Sequence, residues 1–367
     1  MMNFSKSIAI VTNSPAPYRN KVFELLDSRF IIIFCAKKES NRKWELKALN
    51  FRHLFLEQNY ARLKDGYNFV HNNCDVWGKL KSINPAVVII SGFNPTHIYA
   101  CIWALVNGAK ILYMTDGSRY SESILGFKHK LIRLSFFRFF KAFIVASNSG
   151  KELIESYGIA REKIFVSMLC ADLKIYNSRA INSFDDREFD VMFCGQLHEL
   201  KLPFYFLDVC KIIKERSGRC RILICGDGPL RDEVLLRAEQ YSLDYKYMGF
   251  VENELLVDMY RQVKLLLFTT RLDAWGVVVN ESMASGTPVI TTPFAGVANE
   301  LVINGKTGFV LELDSLLWAE KVLEILAEKE LWGSLSRSCT FLSQKYNFKD
   351  AARGIEDAVS FAGYCDL

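Results

Sequence analysis

Residues 264–292, KLLLFTTRLDAWGVVVNESMASGTPVITT, decide the fold of the second half of the chain. The two ends of this stretch, KLLLFTT (264–270) and PVITT (288–292), are short apolar runs that predict strands buried on both faces. The segment between them predicts a loop that contains Asp273, followed by a helix that carries Glu281. A strand, a helix and a second strand in this order indicate a parallel α/β sheet.

The same alternation of apolar runs and helical patterns extends over the rest of the chain. In the first half the predicted strands are SIAIVT (7–12), FIIIFCA (30–36), AVVIISG (86–92), KILYMT (110–115), FIVAS (143–147) and KIFVS (163–167). In the second half they are DVMFCG (190–195), RILICG (221–226), YKYMGF (245–250), KLLLFTT (264–270), PVITT (288–292) and GFVLEL (308–313). Each half therefore predicts a doubly wound α/β domain with a parallel sheet.

The boundary between the two domains is predicted from a polar segment. IYNSRAINSFDDREFD (175–190) lacks periodicity and is typical of a linker. We expect an N-terminal Rossmann-like domain at 1–176, a linker at 177–189, a C-terminal Rossmann-like domain at 190–345 and a last helix at 346–367 that returns to the N-terminal domain. Because ligands of open parallel sheets bind beyond the carboxyl ends of the strands, the two domains are expected to face each other across a cleft.

Composition excludes several other classes of protein. The chain has 367 residues, of which 50% are hydrophobic and 24% charged, and its net charge of +5 implies no nucleic-acid partner. No apolar run approaches the roughly 20 residues of a membrane-spanning helix, and the N-terminal apolar stretch is too short for a signal peptide. The ten cysteines are scattered without a C-x-x-C pair, and the five histidines are dispersed. We therefore expect reduced thiols, no metal site and a cytoplasmic location.

Five loops of the second half follow predicted strands and contain small or charged residues that suit a ligand site. They are CGQLHELK (194–201), CGDGP (225–229), MGFVENE (248–254), TTRLDAWG (269–276) and ITTPFAGVANE (290–300). Glycines let a ligand approach the backbone closely, and the N-termini of the helices that follow favour phosphate. Each loop alone is also consistent with an ordinary turn or a solvated lysine, but five on one edge of a sheet favour a binding site.

The spacing of Asp273 and Glu281 indicates what kind of ligand they bind. Eight residues of helix advance about 12 Å, so two carboxylates at this spacing cannot flank a single bond. A retaining glycosidase needs its carboxyls about 5–5.5 Å apart. The longer separation suits the two ends of an elongated ligand, such as a nucleotide diphosphate sugar.

These motifs resemble the retaining glycosyltransferases of family 4, which have the two-domain GT-B fold. The resemblance rests on G-x-L-x-x-x-K at 195–201, on ICGDGP with YMGFV, on D-A-W-G-V-V-V-N-E with S-M-A-S-G-T-P-V-I, and on G-V-A-N-E-L-V with N-G-K-T-G-F-V. A fainter match at 144–166 extends it into the first half. The resemblance therefore covers nearly the whole chain and is weakest in the N-terminal third.

The resemblance implies a role for each matched residue. Glu281 would accept hydrogen bonds from the ribose hydroxyls, and Asp273 would lie beside the donor sugar. Lys201 would bind the diphosphate and stabilise the charge that develops as the nucleotide leaves. The remaining donor-binding positions that it implies are Gly195, Gly226, Gly249 and Phe250, with the backbone amides of Trp275, Gly276 and Val277.

Two residues depart from the family pattern. Gln196 stands where the family most often has arginine, and glutamine cannot grip a phosphate as a guanidinium does. Either Arg271 or Arg19 replaces that charge, or stabilisation of the leaving group is weaker. The first acid of the pair, Asp273, is a glutamate in most relatives, and its shorter arm is expected to reshape the sugar site.

The first half contains fewer recognisable motifs. Arg19, in the loop and helix after the first strand, is consistent either with an anion-binding role or with an ordinary surface position. Asp116, in TDGS (115–118), is a candidate acceptor contact or base, and a turn or helix cap explains it equally well. Asn94 and His97, after the third strand of this half, are also expected at the cleft edge.

A basic amphipathic segment suggests contact with a membrane. In FKHKLIRLSFFRFFKAF (127–143) one side of a helical wheel carries Lys130, Arg133, Arg138 and Lys141, and the other carries Leu131, Ile132, Phe136, Phe139 and Phe143. Leu134 and Phe137 fall among the basic residues, which suits an interfacial helix on anionic lipid. A core-packed helix with a basic edge is the alternative.

The sequence therefore predicts a metal-independent, retaining glycosyltransferase with a nucleotide-diphosphate sugar donor, with UDP favoured as the nucleotide. It has no other cofactor, and its acceptor is a glycan or polyprenyl-linked saccharide of bacterial surface polysaccharide synthesis, at the inner face of the membrane. A dinucleotide oxidoreductase is disfavoured because no G-x-G-x-x-G follows the strands at 7–12 or 190–195. An inactive GT-B scaffold or partner subunit remains the alternative, supported by Gln196 and opposed by Asp273, Glu281 and Lys201.

Overall fold

The computed structural model describes residues 7–40, 42, 44, 48–63, 69–123, 126–177 and 180–363. The chain divides into two compact units. The first unit runs to Leu169 and resumes at Phe348, and the second unit runs from Cys170 to Asn347. Residues 1–6 of the predicted N-terminal domain, 364–367 of the predicted last helix, and 178 and 179 of the predicted linker lie outside the described residues.

The helices and strands are labelled in chain order. The strands are β1 (Ile8–Thr12), β2 (Phe30–Phe34), β3 (His53–Phe55), β4 (Tyr60–Arg62), β5 (Phe69–His71), β6 (Val87–Ile90), β7 (Lys110–Thr115), β8 (Phe140–Val145), β9 (Ile164–Val166), β10 (Phe189–Cys194), β11 (Arg221–Cys225), β12 (Asp244–Gly249), β13 (Val263–Phe268), β14 (Val289–Thr291) and β15 (Gly308–Val310). The helices are α1 (Pro17–Phe23), α2 (Val76–Ile83), α3 (Pro95–Asn107), α4 (Arg119–Ser123), α5 (Phe127–Phe137), α6 (Asn148–Glu155), α7 (Leu173–Asn177), α8 (Pro203–Ser217), α9 (Arg231–Gln240), α10 (Asn253–Arg261), α11 (Val277–Ala284), α12 (Ser315–Ala327), α13 (Lys329–Ser343) and α14 (Phe348–Phe361).

The first unit is built on a parallel sheet. Within its described residues the strand order is β3-β2-β1-β6-β7-β8-β9, and β4 pairs with β5 in a separate antiparallel hairpin. The order reverses between β1 and β6, as in a doubly wound fold. The apolar runs are buried on both faces: every residue of β2 and β6 is buried. The last helix, α14, packs on β8 and β9, and a Cβ at Gly354 would lie 1.8 Å from the carbonyl oxygen of Val166.

The predicted amphipathic helix at 127–143 is shorter than expected. The α5 helix ends at Phe137, and Phe140 begins β8. Arg133 belongs to the buried side of α5, not to a basic side, because it pairs with Glu122 at 2.5 Å. Phe137 packs in the core, with its ring centroid 5.0 Å from that of Phe143. Phe137 at the end of the helix and Phe140 and Phe143 in the strand pack in the same hydrophobic core. The chain therefore changes from helix to strand between residues 137 and 140.

The outward side of α5 nevertheless combines apolar and basic residues. Phe127, Leu131 and Leu134 are exposed at 72%, 47% and 54%, and Lys130 lies among them. Leu131, which the helical wheel groups with Ile132 and Phe136, is therefore on the outward side of the helix. Arg138, Phe139 and Lys141, just beyond the helix, are exposed as well.

The second unit is also built on a doubly wound sheet. Within the described residues its strand order is β12-β11-β10-β13-β14-β15, with all pairs parallel. The order reverses between β10 and β13, so a ligand of such a sheet is expected beyond the carboxyl ends of these two strands. The hydrophobic core below them is formed largely by β10, β11, β13, α8 and α12.

The segment predicted as a linker, 177–189, belongs structurally to the second unit. The chain passes between the units at Leu169–Cys170 and at Asn347–Phe348, so the first crossing lies before the predicted boundary at 176. Arg187 ties its own part of this segment to the second unit: it is 3% exposed and donates to the carbonyl of Val263 and the hydroxyl of Thr287, both at 2.6 Å. The guanidinium of Arg187 also stacks on Trp332, with its central carbon 4.7 Å from the centroid of the ring.

Candidate donor site

The loops at the carboxyl edge of the second sheet pack backbone against backbone. The amide of Gly195 donates to the carbonyl of Cys225 at 3.0 Å, and the amide of Gly226 donates to the carbonyl of Gly249 at 2.7 Å. A Cβ at Gly226 would lie 1.8 Å from the carbonyl oxygen of Gly195. Glycine is therefore required at position 226 by the close approach of the loops after β10 and β11.

Lys201 and Asp273 meet at the point where the strand order reverses. They are 72 residues apart, and Nζ of Lys201 donates to Oδ2 of Asp273. Their side chains are 18% and 20% exposed, so the pair is accessible without being fully solvated. The loops after β10 and β13 are tied together beneath it, because the amide of Arg271 and the hydroxyl of Thr270 both bond the carbonyl of Leu200, at 2.8 and 2.9 Å.

Asp273 also connects this pair to the start of α11. Its Oδ1 accepts a hydrogen bond from the backbone amide of Trp275 at 3.1 Å. Gly276 precedes α11 with φ of +107°, and a Cβ there would lie 2.6 Å from the ring of Phe268. Amides in the first turn of a helix lack i−4 acceptors and carry partial positive charge; in α11 the amide of Val279 bonds the carbonyl of Gly276 at 2.9 Å. An anionic group beside Lys201 would therefore also lie near a helix N-terminus.

Glu281 lies deeper in the same helix. It is 5% exposed, and Tyr260 on α10 donates to its Oε2 at 2.9 Å. Burial raises the pKa of Glu281 to about 7, although the hydrogen bond from Tyr260 acts to lower it. A buried carboxyl group whose pKa is raised, at the edge of the sheet where the loops gather, is a candidate for ligand binding.

The argument from eight residues of helical rise does not apply to Asp273 and Glu281. The α11 helix begins at Val277, and Asp273 lies outside it in an isolated bridge to Ala295. The two carboxylates still differ in environment, since Asp273 is paired with a lysine and Glu281 is buried beside a tyrosine.

The side chain of Trp275 is part of the core. It is 1% exposed, its indole donates to Asn280 at 2.8 Å, and its ring packs 5.8 Å from that of Tyr346. Only the backbone of Trp275 can therefore contact a ligand, as the amide role implied. Arg271 and Phe250 are exposed, Phe250 at 41%, while Gln196 is partly buried.

His198 is a site residue that the sequence motifs did not indicate. It is 6% exposed, and its Nδ1 accepts from the amide of Leu200 at 3.2 Å, so the ring proton lies on Nε2. Burial, together with the charge of Lys201, lowers the pKa of His198 to about 4. The ring beside the Lys201–Asp273 pair is therefore neutral at physiological pH. In the sequence, only its position three residues before Lys201 pointed to His198. A single histidine at such a position does not distinguish a site residue from a core residue.

Arg19 and Asp116 form a second polar cluster, in the first unit. Arg19 is 6% exposed, which excludes the surface alternative. Its guanidinium donates to Oδ1 of Asp116 and, at 3.0 Å each, to the hydroxyl and the carbonyl of Ser167. Asp116 is more accessible, with its side chain 38% exposed. The structure thus brings two separately predicted residues together.

Two further polar residues, Asn94 and His97, were expected at this edge of the sheet. Asn94 donates to Oδ1 of Asn13 at 3.3 Å. His97 is fully buried, and burial lowers its pKa to about 3. It is therefore a neutral core histidine.

The described residues contain no group of three or more His, Cys, Asp or Glu side chains that could hold a metal ion. In the same part of the chain, no helix has the length and apolar character that crossing a membrane requires.

Solved structures define the class of fold. HepE of Anabaena, crystallised with UDP and glucose, matches with a TM-score of 0.75 at 14% identity, over 97% of this chain and 99% of that chain. A glycosyltransferase of Rickettsia africae matches with a TM-score of 0.72 at 15% identity, over 98% and 99% of the two chains. These neighbours have the GT-B fold of glycosyltransferases, and so does this chain, which confirms the predicted fold class.

Sequence comparison is more specific for the second unit. Residues 175–338 match the family model of glycosyl transferases group 1. A D-inositol 3-phosphate glycosyltransferase of Rhodococcus jostii is 25% identical over 232 residues, which are 59% of this chain and 51% of that protein. The Campylobacter jejuni enzyme GalNAc-alpha-(1->4)-GalNAc-alpha-(1->3)-diNAcBac-PP-undecaprenol alpha-1,4-N-acetyl-D-galactosaminyltransferase is 25% identical over 245 residues, 66% of each chain. The chain spans about half the length of the first curated relatives it matches, 46% and 51%.

Proposed function

We propose that this chain is a retaining, metal-independent glycosyltransferase that transfers a sugar from a UDP-linked donor to a glycan or lipid-linked glycan in bacterial surface polysaccharide synthesis. The observation that carries the proposal is the Lys201–Asp273 pair, which lies beside the N-terminus of α11 with Glu281 in the same helix. These residues fall within the segment that matches the family model. The UDP complex of HepE and the undecaprenol-linked acceptor in the name of the Campylobacter relative support the choice of donor and acceptor.

The donor would bind by replacing one contact of Lys201. A diphosphate carries more negative charge than the carboxylate of Asp273, so it competes for the ammonium group, and the first amides of α11 add to the attraction. Asp273, released from Lys201, would then face the donor sugar. Glu281 would accept hydrogen bonds from the ribose at the other end of the nucleotide, and the glycine loops at 195, 226 and 249 would contact the base and phosphates through backbone.

The reaction follows from where charge develops. The bond between the anomeric carbon and the diphosphate oxygen breaks, the acceptor hydroxyl attacks from the same face, and its proton passes to the leaving phosphate. Lys201 and the α11 amides stabilise the negative charge that accumulates on that phosphate. His198 is neutral and adds no positive charge there. Arg271 is exposed, and in this proposal it would replace the arginine that the family most often has at position 196.

The acceptor contact is assigned to Asp116. Its exposed carboxylate is held by Arg19, which is fixed in turn by Ser167. A carboxylate oriented in this way can accept a hydrogen bond from an acceptor hydroxyl. The guanidinium of Arg19 donates to Ser167 and Asp116. We therefore assign Arg19 the role of orienting Asp116, in preference to a role in binding phosphate.

The exposed face of α5 is proposed to contact the inner membrane. Phe127, Leu131 and Leu134 would enter the lipid interface, while Lys130 and Arg138 would meet anionic headgroups. Leu131→Ser combined with Leu134→Ser should reduce sedimentation with vesicles of phosphatidylglycerol and leave UDP binding unchanged. Equal sedimentation of the variant and the unaltered protein would contradict the membrane contact.

The donor site is tested by calorimetric titration with UDP, GDP and ADP. We expect UDP to bind most tightly and Glu281→Ala to remove that binding while the protein remains folded by circular dichroism. Release of UDP from UDP-sugars, even by slow hydrolysis, would then exclude an inactive scaffold. If none of the three nucleotides binds, or if Glu281→Ala binds as well as the unaltered protein, the donor assignment is wrong and the scaffold alternative is favoured.

A further inference from the structure

Glu281 receives its hydrogen bond from a tyrosine on a neighbouring helix that the family motifs do not include. Tyr260 is fully buried, and its hydroxyl lies 2.9 Å from Oε2 of Glu281. The hydroxyl of Tyr260 also lies 3.2 Å from Sγ of Cys194, at the end of β10. A phenol has one proton to donate, and a hydrogen bond to a carboxylate is stronger than one to a thiol. The Tyr260 proton therefore points at Glu281.

We propose that Tyr260 is a positioning residue for Glu281: its hydroxyl holds the carboxylate in the orientation that receives the ribose hydroxyls of a nucleotide. The inference rests on the donor site proposed above and names the residue that orients its ribose-binding carboxylate. The last torsion of a glutamate side chain is broad and poorly restrained on its own. A bond from a rigid, fully buried ring fixes the plane of the carboxylate, and the second oxygen is then directed at the ligand.

The hydrogen bond also favours the charged form of Glu281. Burial raises the pKa of this carboxyl to about 7, and Tyr260 opposes that rise. The other titratable groups facing it are Cys194 on β10 and Tyr176 on α7, and burial raises the pKa of each, so both are neutral. Lys264 on β13 is paired with Asp190, and no charged group of the described parts of β14 and α13 acts on Glu281.

The test measures the affinity of the full chain for UDP by calorimetry between about pH 5.5 and about pH 8.5, on both sides of the pKa of Glu281. UDP affinity should fall as the pH drops below about 7, where Glu281 gains a proton. In Tyr260→Phe the midpoint should move up by about one pH unit, because a hydrogen bond to the charged form is lost. At neutral pH the ionised fraction would fall from about half to about a tenth, which weakens UDP binding about fivefold.

Two variants isolate the effect. Tyr176→Phe removes a hydroxyl that is buried in the same cluster and has no hydrogen-bond partner among the described residues, so its midpoint should stay that of the unaltered protein. Glu281→Gln reports the titration of the nucleotide itself, which is subtracted from the other curves. If Tyr260→Phe fails to fold, 3-fluorotyrosine at position 260 is a stronger donor of the same shape and should move the midpoint down.

The outcomes separate this inference from the donor site. An unchanged midpoint in folded Tyr260→Phe or in the fluorotyrosine protein overturns the positioning role and leaves the donor site standing. An equal shift in Tyr176→Phe also overturns it, because the effect would then be a general response to losing a buried hydroxyl. If the unaltered protein binds no nucleotide, or if Glu281→Gln has its affinity and pH profile, the donor site itself is wrong and the inference is overturned with it.

Discussion

Replacing Asp273 by asparagine should make UDP bind more tightly and slow sugar transfer. Asparagine keeps the oxygen that accepts from the amide of Trp275, but it removes the negative charge that pairs with Lys201. A diphosphate then no longer competes with a carboxylate for the ammonium group. A hydrogen bond between charged groups is worth about 1.5–3 kcal/mol, and a neutral one about 1 kcal/mol. The difference of about 0.5–2 kcal/mol corresponds to UDP binding about 2 to 30 times more tightly.

The measurement is a calorimetric titration of the unaltered protein, Asp273→Asn, Lys201→Met and the double variant with UDP. Uridine serves as the control ligand, because it lacks the phosphates and its affinity should not change. Lys201→Met should weaken UDP binding, and the double variant should bind no more tightly than Lys201→Met alone, since the gain depends on the free ammonium group. Equal or weaker UDP binding by Asp273→Asn, or an equal gain for uridine, would refute the argument.

The remaining predictions concern stability and the shape of the site. Arg187→Met should lower the free energy of unfolding, measured with denaturant, by about 3 kcal/mol or more, because it leaves buried carbonyls without donors. The control is Arg216→Met, which removes a surface ion pair and should lower the free energy of unfolding by less than about 1 kcal/mol. The folded-state pKa of Glu281 is raised from 4.5 to about 7, so the stability it contributes is complete below about pH 4.5 and lost as the pH rises through 7. Glu281→Gln should therefore stabilise the protein above pH 7, by up to about 3 kcal/mol, and much less at acid pH; parallel pH profiles of unfolding would contradict this. Gly226→Ala should abolish UDP binding and lower the melting temperature, because its Cβ would overlap the carbonyl of Gly195; wild-type values of both would show that the loops are not packed as described.

Local pattern in the sequence was sufficient for every strand of the two parallel sheets except β3. Each of the predicted apolar runs overlaps a strand. Most of these strands are buried on both faces, and a parallel strand buried in this way requires a continuous apolar run. The short strands β3, β4 and β5 were missed because their sequences, HLF, YAR and FVH, form no continuous apolar run. The end of α5 was missed for a different reason. Phe140 and Phe143 fit either an apolar helix face or a buried strand, and the neighbouring strand β7 decides between them.

The charged residues of the candidate donor site could also be predicted from the sequence, because a lysine and two acids follow predicted strands. Their hydrogen-bond partners could not be predicted. The sequence by itself determined the two α/β units, the glycine loops, and the positions of Lys201, Asp273 and Glu281. Only the tertiary structure paired Lys201 with Asp273, Arg19 with Asp116, and Glu281 with Tyr260, across 72, 97 and 21 residues. The physical reason is that strand formation depends on nearby residues, whereas these pairs depend on which strands and helices become neighbours in the folded sheet, and that order is set by the packing of the whole unit.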